Sequence, residues 1–309
     1  MTTHRFSQLL ATDPLVVADG AMATELEKLG VDTANQLWSA TALIDHPQAI
    51  AEVHRSYFEA GAHIATTNTY QANVPAFVAS GLTEAESVQL VKKAVNIAVK
   101  TRHEYAEENH QDARLLVVAA SIGPYGAYLA DGSEYTGNYS LTLTEFKDFH
   151  RQRMQLVDEA GADVFALETM PNGDEVRALV DLLAQEFSES EAWVSLSLKD
   201  SHHLCDGTAL SELLPVLDAS PQVVAVGLNC TAQENVEPAL RALSALTTKP
   251  LITYPNSGEE YDPVTKTWAL KDSTANLARN TEWWQAAGAR VIGGCCRTAP
   301  ADIAEIAAL

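Results

Sequence analysis

Cysteine is scarce in this chain, and three of its four copies stand at the ends of two apolar runs. Cys230 closes the run Val223-Val224-Ala225-Val226-Gly227-Leu228-Asn229-Cys230, and the vicinal pair Cys295-Cys296 follows Arg290-Val291-Ile292-Gly293-Gly294. Each run reads as a short buried strand with thiols at its C-terminal tip. Three thiolates suit a zinc ion that keeps a fourth position open for a reactant. Taken singly, any of them reads as a small buried hydrophobe. Two thiol motifs at strand tips make that reading much weaker. Cys205 has no such company and is read as a bystander in its loop, where a cluster with His202, His203 and Asp206 is the lesser alternative.

Consecutive side chains of an extended strand point to opposite faces, so Cys295 and Cys296 can face one ion only where the backbone leaves that geometry. Gly293-Gly294 are expected to supply the freedom. A helix starting around Thr298 and Pro300 would set its N-terminal end near the pair and favour thiolate over thiol.

The elements that must position these residues alternate along the chain. Eight short apolar runs are expected as strands: Leu15–Ala18, His63–Thr67, Leu115–Ala119, Val164–Leu167, Trp193–Leu198, Val223–Leu228, Leu251–Tyr254 and Arg290–Ile292. Amphipathic stretches lie between them at helical spacing, among them Pro47–Glu59, Thr83 to about Glu108, Thr144–Ala160, Asp174–Phe187, Ala209–Leu217, Glu237–Leu246, Thr274–Ala287 and Pro300–Ala308. Thr83 with Glu86 forms a capping-box pattern. Continuous rather than alternating apolar strands predict a parallel sheet covered on its outside. Eight such units in 309 residues fit a single-domain α/β (β/α)8 TIM barrel spanning 1–309. An open doubly wound sheet would show a glycine-rich phosphate turn after its first strand, and Asp19-Gly20-Ala21-Met22-Ala23 is not one.

Barrel enzymes work at the C-terminal ends of their strands. Those tips offer Asp19, Thr67-Asn68, Ser121, Glu168, Asn229-Cys230, Tyr254-Asn256 and Cys295-Cys296. The sixth and eighth strands are separated by one other, so their thiols can converge. Asp19 and Glu168 read either as helix caps or loop ion pairs, or as a site for a substrate ammonium group, or as an acid/base pair. The long segment from Gly123 to Tyr139 carries tyrosines and acids. It suits a cationic ligand, or else packs on its own rings. His54 and His63 read as packing or surface residues.

Composition narrows the class. The formal charge, 20 minus 41, is −21 and is spread through the chain, which repels nucleic acid and anionic lipid. Met1–Leu10 has no apolar leader, and no run approaches a membrane span, so a cytoplasmic location is expected.

Assembled, these residues resemble the homocysteine S-methyltransferase family. The resemblance runs through Asp19-Gly20-Ala21-Met22-Ala23-Thr24, Thr67-Asn68-Thr69-Tyr70, Glu168-Thr169, Gly227-Leu228-Asn229-Cys230 and Gly293-Gly294-Cys295-Cys296, covering essentially the whole chain. It implies a (β/α)8 barrel with Zn2+ on Cys230, Cys295 and Cys296. It also implies that Asp19 and Glu168 bind the homocysteine amino group. Backbone amides near Thr67 and Ser121 become candidates for its carboxylate, with Asn229 beside the metal. Ala23-Thr24 stands where many relatives have Gly-Thr. The single-domain length and the tyrosine loop are similar to the subgroup that uses S-methylmethionine, often with S-adenosylmethionine. Betaine-dependent members are longer, and cobalamin-dependent ones carry further domains. The donor cation is then expected against Tyr125, Tyr128, Glu134 and Tyr135.

The function implied is methyl transfer from a sulfonium donor to homocysteine, giving methionine. The alternatives are a betaine-dependent enzyme, or a zinc-storing or redox-sensing dithiol protein without catalysis. A metal-dependent hydrolase would want His and carboxylate ligands instead. Small molecules are the expected partners, with no nucleic acid or membrane, on a monomer or weak homodimer.

Overall fold

A strand that is apolar on both faces needs a helix over its outer face, and the chain supplies one after almost every strand. The computed structural model describes residues 4–33, 38–262, 267–270 and 276–309. Its main sheet has eight parallel strands: β1 (Val16–Val17), β2 (Ile64–Thr66), β3 (Val117–Ile122), β4 (Val164–Met170), β5 (Glu191–Leu196), β6 (Val223–Asn229), β7 (Leu251–Tyr254) and β8 (Ala289–Ile292). They are hydrogen-bonded in the order β1-β8-β7-β6-β5-β4-β3-β2. A parallel bridge between Ala18 and Ile64 closes the circle. The fold is a (β/α)8 TIM barrel, as the alternating pattern predicts.

The two-residue period of each strand sorts its side chains. Val117 and Ala119 of β3, Val164 and Ala166 of β4, Trp193 of β5 and Ile252 and Tyr254 of β7 fill the barrel interior. Their neighbours Val118, Ala120, Ile122, Phe165, Leu167 and Val194 pack outward against the helices. Ala18, Ala119, Ala166 and Ala225 are small, which leaves room for Trp193 at the centre. The same alternation continues upward. One step above the interior alanines, Ser121 and Glu168 must face into the mouth.

The lower end of the barrel is plugged by the helix Arg5–Thr12, which the apolar pattern does not announce. Phe6 packs on Trp193 with ring centroids 5.2 Å apart. The Phe6 and Ser7 amides donate to the Glu191 carboxylate at 3.2 and 3.3 Å.

Several elements differ in extent from their sequence-based expectation. The third strand starts at Val117 rather than Leu115, because the Asp112 carboxylate accepts from the Arg114 amide and draws Ala113–Leu115 into a 3-10 turn. It also runs on to Ile122, so Ser121 lies within the strand. The fifth strand ends at Leu196, and Leu198 belongs to a hairpin, Leu198–Asp200 with His203–Leu204. The helix after β6 begins at Gln233, four residues early, and carries Pro238 inside it. The segment from Gly123 to Tyr139 is not a bare loop but contains the helix Tyr125–Leu129 and the turn Ser133–Tyr135. The expected helix start at Thr274 lies outside the described residues, and the helix is Leu277–Ala286. The Thr83/Glu86 capping box forms as read, opening the helix Glu84–Glu108.

Candidate active site and metal centre

Strands β6 and β8 flank β7, and their thiols meet above it. Cys230 Sγ lies 3.6 Å from Cys296 Sγ, and Cys295 Sγ lies 3.9 Å from Cys296 Sγ. All three sulfurs fall within 4.8 Å of one another, the one such metal-competent group among the described residues. A tetrahedral ion bonded to sulfur at about 2.3 Å separates its ligands by about 3.8 Å. Two of the three separations therefore match the corners of such a site, the third stays within 4.8 Å, and the two measured pairs far exceed the ~2.05 Å of a disulfide.

The backbone that achieves this differs from expectation at one point. Gly293 and Gly294 do not adopt the left-handed conformation; after the pair it is taken by Arg297 at φ 65°, and at the tip of β6 by Cys230 at φ 51°. What the two glycines supply is room. A Cβ on Gly294 would sit 2.3 Å from Thr298 Oγ1, and one on Gly293 2.7 Å from Ala18 Cβ. Thr298 Oγ1 donates to the Cys295 carbonyl at 2.6 Å and accepts from the Ala21 amide at 3.2 Å, tying the thiol turn to the loop after β1. The Cys295 amide in turn donates to the Pro255 carbonyl at 2.7 Å. Hydrogen bonds from Cys295 and Cys296, then from Tyr135, pull the Cys230 thiol well below its ordinary range. Those same bonds push Cys295 and Cys296 up. The three thiols are thus electrostatically linked, and a proton lost from one is felt by the other two.

Asp19 and Glu168 line the same cleft as the thiols. Asp19 accepts from the Thr66 amide at 2.6 Å and from Thr66 Oγ1 at 2.7 Å. Burial overrides those bonds and raises its carboxyl to about 7. Glu168 accepts from Ser121 Oγ and from the Tyr254 hydroxyl, and burial, helped by the charges of Asp19 and Cys230, lifts it to about 7 as well. Neither carboxylate caps a helix, and neither joins an ion pair among the described residues. Two buried acids raised by burial, with the Asp19 charge adding to the rise at Glu168, make a place for a cation.

The amides of Thr67 and Ser121 themselves are already used. The Thr67 amide donates to the Ala119 carbonyl at 2.9 Å and the Ser121 amide to Thr67 Oγ1 at 3.2 Å. Both residues line the pocket, where Ser121 holds Glu168 through its side chain. Asn229 has a similar supporting position. Its Oδ1 accepts from the Thr169 amide and its Nδ2 donates to Thr169 Oγ1, both at 2.8 Å, holding Thr169 at φ 58° directly after Glu168.

These groups share one cleft that encloses about 1240 Å³ of empty space, its mouth included. Of the four residues expected around a donor, Glu134 and Tyr135 line it, and the Tyr135 hydroxyl lies 3.9 Å from Cys230 Sγ. Tyr125 and Tyr128 do not line it. They pack on one another at 5.9 Å and on Phe149 at 5.1 and 5.4 Å, so half of the segment is self-packed. Tyr70, Trp193 and Tyr254 supply the aromatic walls instead. Strand parity could have found Trp193, whose indole donates to the Tyr254 hydroxyl at 3.1 Å beneath Glu168. Cys205 lies 3.4 Å from Ser197 Oγ, and His203 is paired with Asp200, so no second thiol cluster forms there. His54 is fully buried and held neutral, its pKa lowered to about 4 by burial. His63 accepts from the Val17 amide at 3.0 Å; both histidines belong to the scaffold.

Comparison with known proteins gives the same assignment as this geometry. The family model described as homocysteine S-methyltransferase matches residues 16–309. A homocysteine S-methyltransferase of Escherichia coli is 51% identical over 97% of this chain and 96% of its own length. Homocysteine S-methyltransferase YbgG of Bacillus subtilis is 48% identical over the same shares. The crystal structure of the homocysteine methyltransferase MmuM from Escherichia coli, in its metallated form, superposes with a TM-score of 0.90 at 48% identity, covering 98% of this chain and 99% of that one. With the barrel, the thiol trio and this near-complete overlap in hand, the chain belongs to the homocysteine S-methyltransferase family.

Proposed function

We propose that this chain transfers a methyl group from a sulfonium donor, S-methylmethionine or also S-adenosylmethionine, to the thiol of L-homocysteine, giving methionine. The observation that carries the proposal is the meeting of three thiols at metal-site spacing with two unpaired buried carboxylates in one cleft. Sulfur-only donors favour a soft ion, and zinc is the ion proposed for Cys230, Cys295 and Cys296. Bound there, zinc would supply a Lewis acid that lets an acceptor thiol, with pKa near 8.5 when free, ionise at neutral pH.

Asp19 and Glu168 take the homocysteine ammonium group and so aim its sulfur at the thiol centre. Ser121, Thr67 and Asn229 act behind them, fixing Glu168 and the turn that follows it. The acceptor sulfur attacks the methyl carbon in line. A sulfur–methyl bond forms as the donor's carbon–sulfur bond breaks, and the donor sulfur keeps the bonding pair and leaves as a thioether. The acceptor's proton goes to solvent, and no general base acts in the transfer itself. Glu134 and the face of Tyr135 hold the donor cation at the mouth. Positive charge disappears from the donor in the transition state, so aromatic contacts serve turnover better than a tight ion pair.

The test is to incubate metal-loaded protein with homocysteine and, separately, S-methylmethionine, S-adenosylmethionine or betaine, and to quantify methionine against controls lacking homocysteine. A sulfonium donor should turn over and betaine should not. Cys295→Ala should lose both metal and turnover while keeping the wild-type circular dichroism. A metal-free Cys295→Ala protein with full turnover would end the proposal.

A further inference from the structure

Behind the cleft, outside the set of residues that line it, sits a buried charged cluster that the methyl-transfer chemistry does not use. Glu175 and His150 are fully buried and Arg153 is 2% exposed. His150 Nε2 lies 2.7 Å from Glu175 Oε1, and Arg153 Nη2 lies 3.0 Å from His150 Nδ1. A guanidinium has no acceptor, so His150 Nδ1 must accept and Nε2 must carry the hydrogen that goes to Glu175. The imidazole is therefore a neutral relay between a buried cation and a buried anion. Burial holds His150 below its ordinary pKa, in agreement with that tautomer.

What the cluster grips is backbone and one tyrosine hydroxyl. Glu175 Oε1 also accepts from the Tyr125 amide at 2.6 Å, and its Oε2 accepts from the Tyr139 hydroxyl at 2.5 Å. One carboxylate thus ties both ends of the segment that carries Glu134 and Tyr135. Arg153 donates to the Gly123 carbonyl at 2.6 Å and to the Tyr70 carbonyl at 2.9 Å, fixing the start of that segment and the pocket-lining loop after β2. One turn before Glu175, the Asn172 side chain donates to the Tyr139 carbonyl at 3.1 Å. Burying a cation and an anion is weak evidence for stability, because desolvation cancels much of the attraction. A cluster of this kind is better explained by the single geometry it imposes.

We propose that Glu175, acting with His150 and Arg153, is a positioning residue that holds Glu134 and Tyr135 over the thiol centre and thereby sets donor binding and transfer without touching either substrate. The proposal rests on the methyl-transfer reading above. It separates the two substrates, because homocysteine is held by Asp19, just beyond β1, and by Glu168 on β4, which the cluster does not grip.

The test compares metal-loaded wild-type protein with Glu175→Gln and Tyr139→Phe. Glu175→Gln keeps the side-chain shape and removes the charge opposite Arg153. Tyr139→Phe removes one hydroxyl, leaves the charges in place and keeps the proposal testable if Glu175→Gln fails to accumulate. The expected result in each folded variant is a donor KM raised about fivefold or more with a lower kcat. Homocysteine KM and metal per chain should stay within about twofold of wild type. Folded Tyr139→Phe with all kinetic constants unchanged would overturn the proposal. So would a parallel rise of both KM values with loss of metal, which marks a merely structural role. A wild-type protein inert toward every donor undoes the activity reading and this proposal with it, whereas active wild type with unaltered variants undoes the positioning role alone.

Discussion

Asp19 and Glu168 show how far a side chain's surroundings can move its chemistry. Both carboxyls titrate near 7 because burial outweighs the hydrogen bonds from Thr66, Ser121 and Tyr254. A carboxyl raised in the folded state stays protonated where the unfolded chain has already ionised. The folded protein then binds more protons, and the contribution of these two groups to stability falls as pH rises from about 4 to about 7. An ammonium group in the site reverses that preference by favouring the carboxylates. Homocysteine should therefore bind better as pH rises from 6 to 8, and Glu168→Gln should flatten the dependence. Homocysteine KM across that range decides the matter; a wild-type KM that rises with pH would contradict it. At the same scale, the thiol motifs and both acids are readable from sequence because each stands at the end of an apolar run. Composition cannot say which rings of a segment face the cleft, so it does not separate Tyr125 and Tyr128, which pack on each other, from Tyr135, which lines the cleft. The amides of Thr67 and Ser121 themselves are taken up within the fold for a related reason, since pairing between neighbouring strands decides whether an amide is free.

Among the elements, the contact between β6 and β7 has the least slack. A Cβ on Gly227 would come 1.7 Å from the Ile252 carbonyl oxygen, a distance no side-chain adjustment can relieve. Gly227→Ala should destabilise the protein by about 3 kcal/mol through overpacking and should displace Cys230 three residues on. An unchanged urea midpoint would contradict this. The glycine is visible in the sequence only as a break in an apolar run, whereas its cause is a neighbouring backbone 25 residues away in the chain. The capping boxes are the opposite case. Thr83 with Glu86 is local, so the helix it opens is read with its start correct. Strand limits that depend on a neighbour, such as the three-residue extension of β3, are not local and are misplaced. The helix Arg5–Thr12 is missed because its apolar face is only three residues, Phe6, Leu9 and Leu10.

At the scale of the whole molecule, a formal charge of −21 on 309 residues makes the folded surface repel itself. Salt shortens the reach of that repulsion to about 3 Å at 1 M. Raising sodium chloride from 20 to 500 mM should stabilise the protein by about 1 kcal/mol, or roughly 2 °C in Tm at this size. A falling Tm would mean that attractive surface pairs outweigh the net charge. A last consequence comes from the plug under the barrel. Phe6 seats against Trp193 from below, and the same ring forms the floor of the cleft that holds the thiols and the two acids. Acceptor and donor that meet above this floor share one cleft, and a shared entrance would make the deeper of the two enter first and leave last. If the acceptor occupies the floor beside Asp19 and Glu168, new methionine waits behind the spent donor. A crowd of fresh donor at the threshold then becomes an obstacle to the very turnover it feeds.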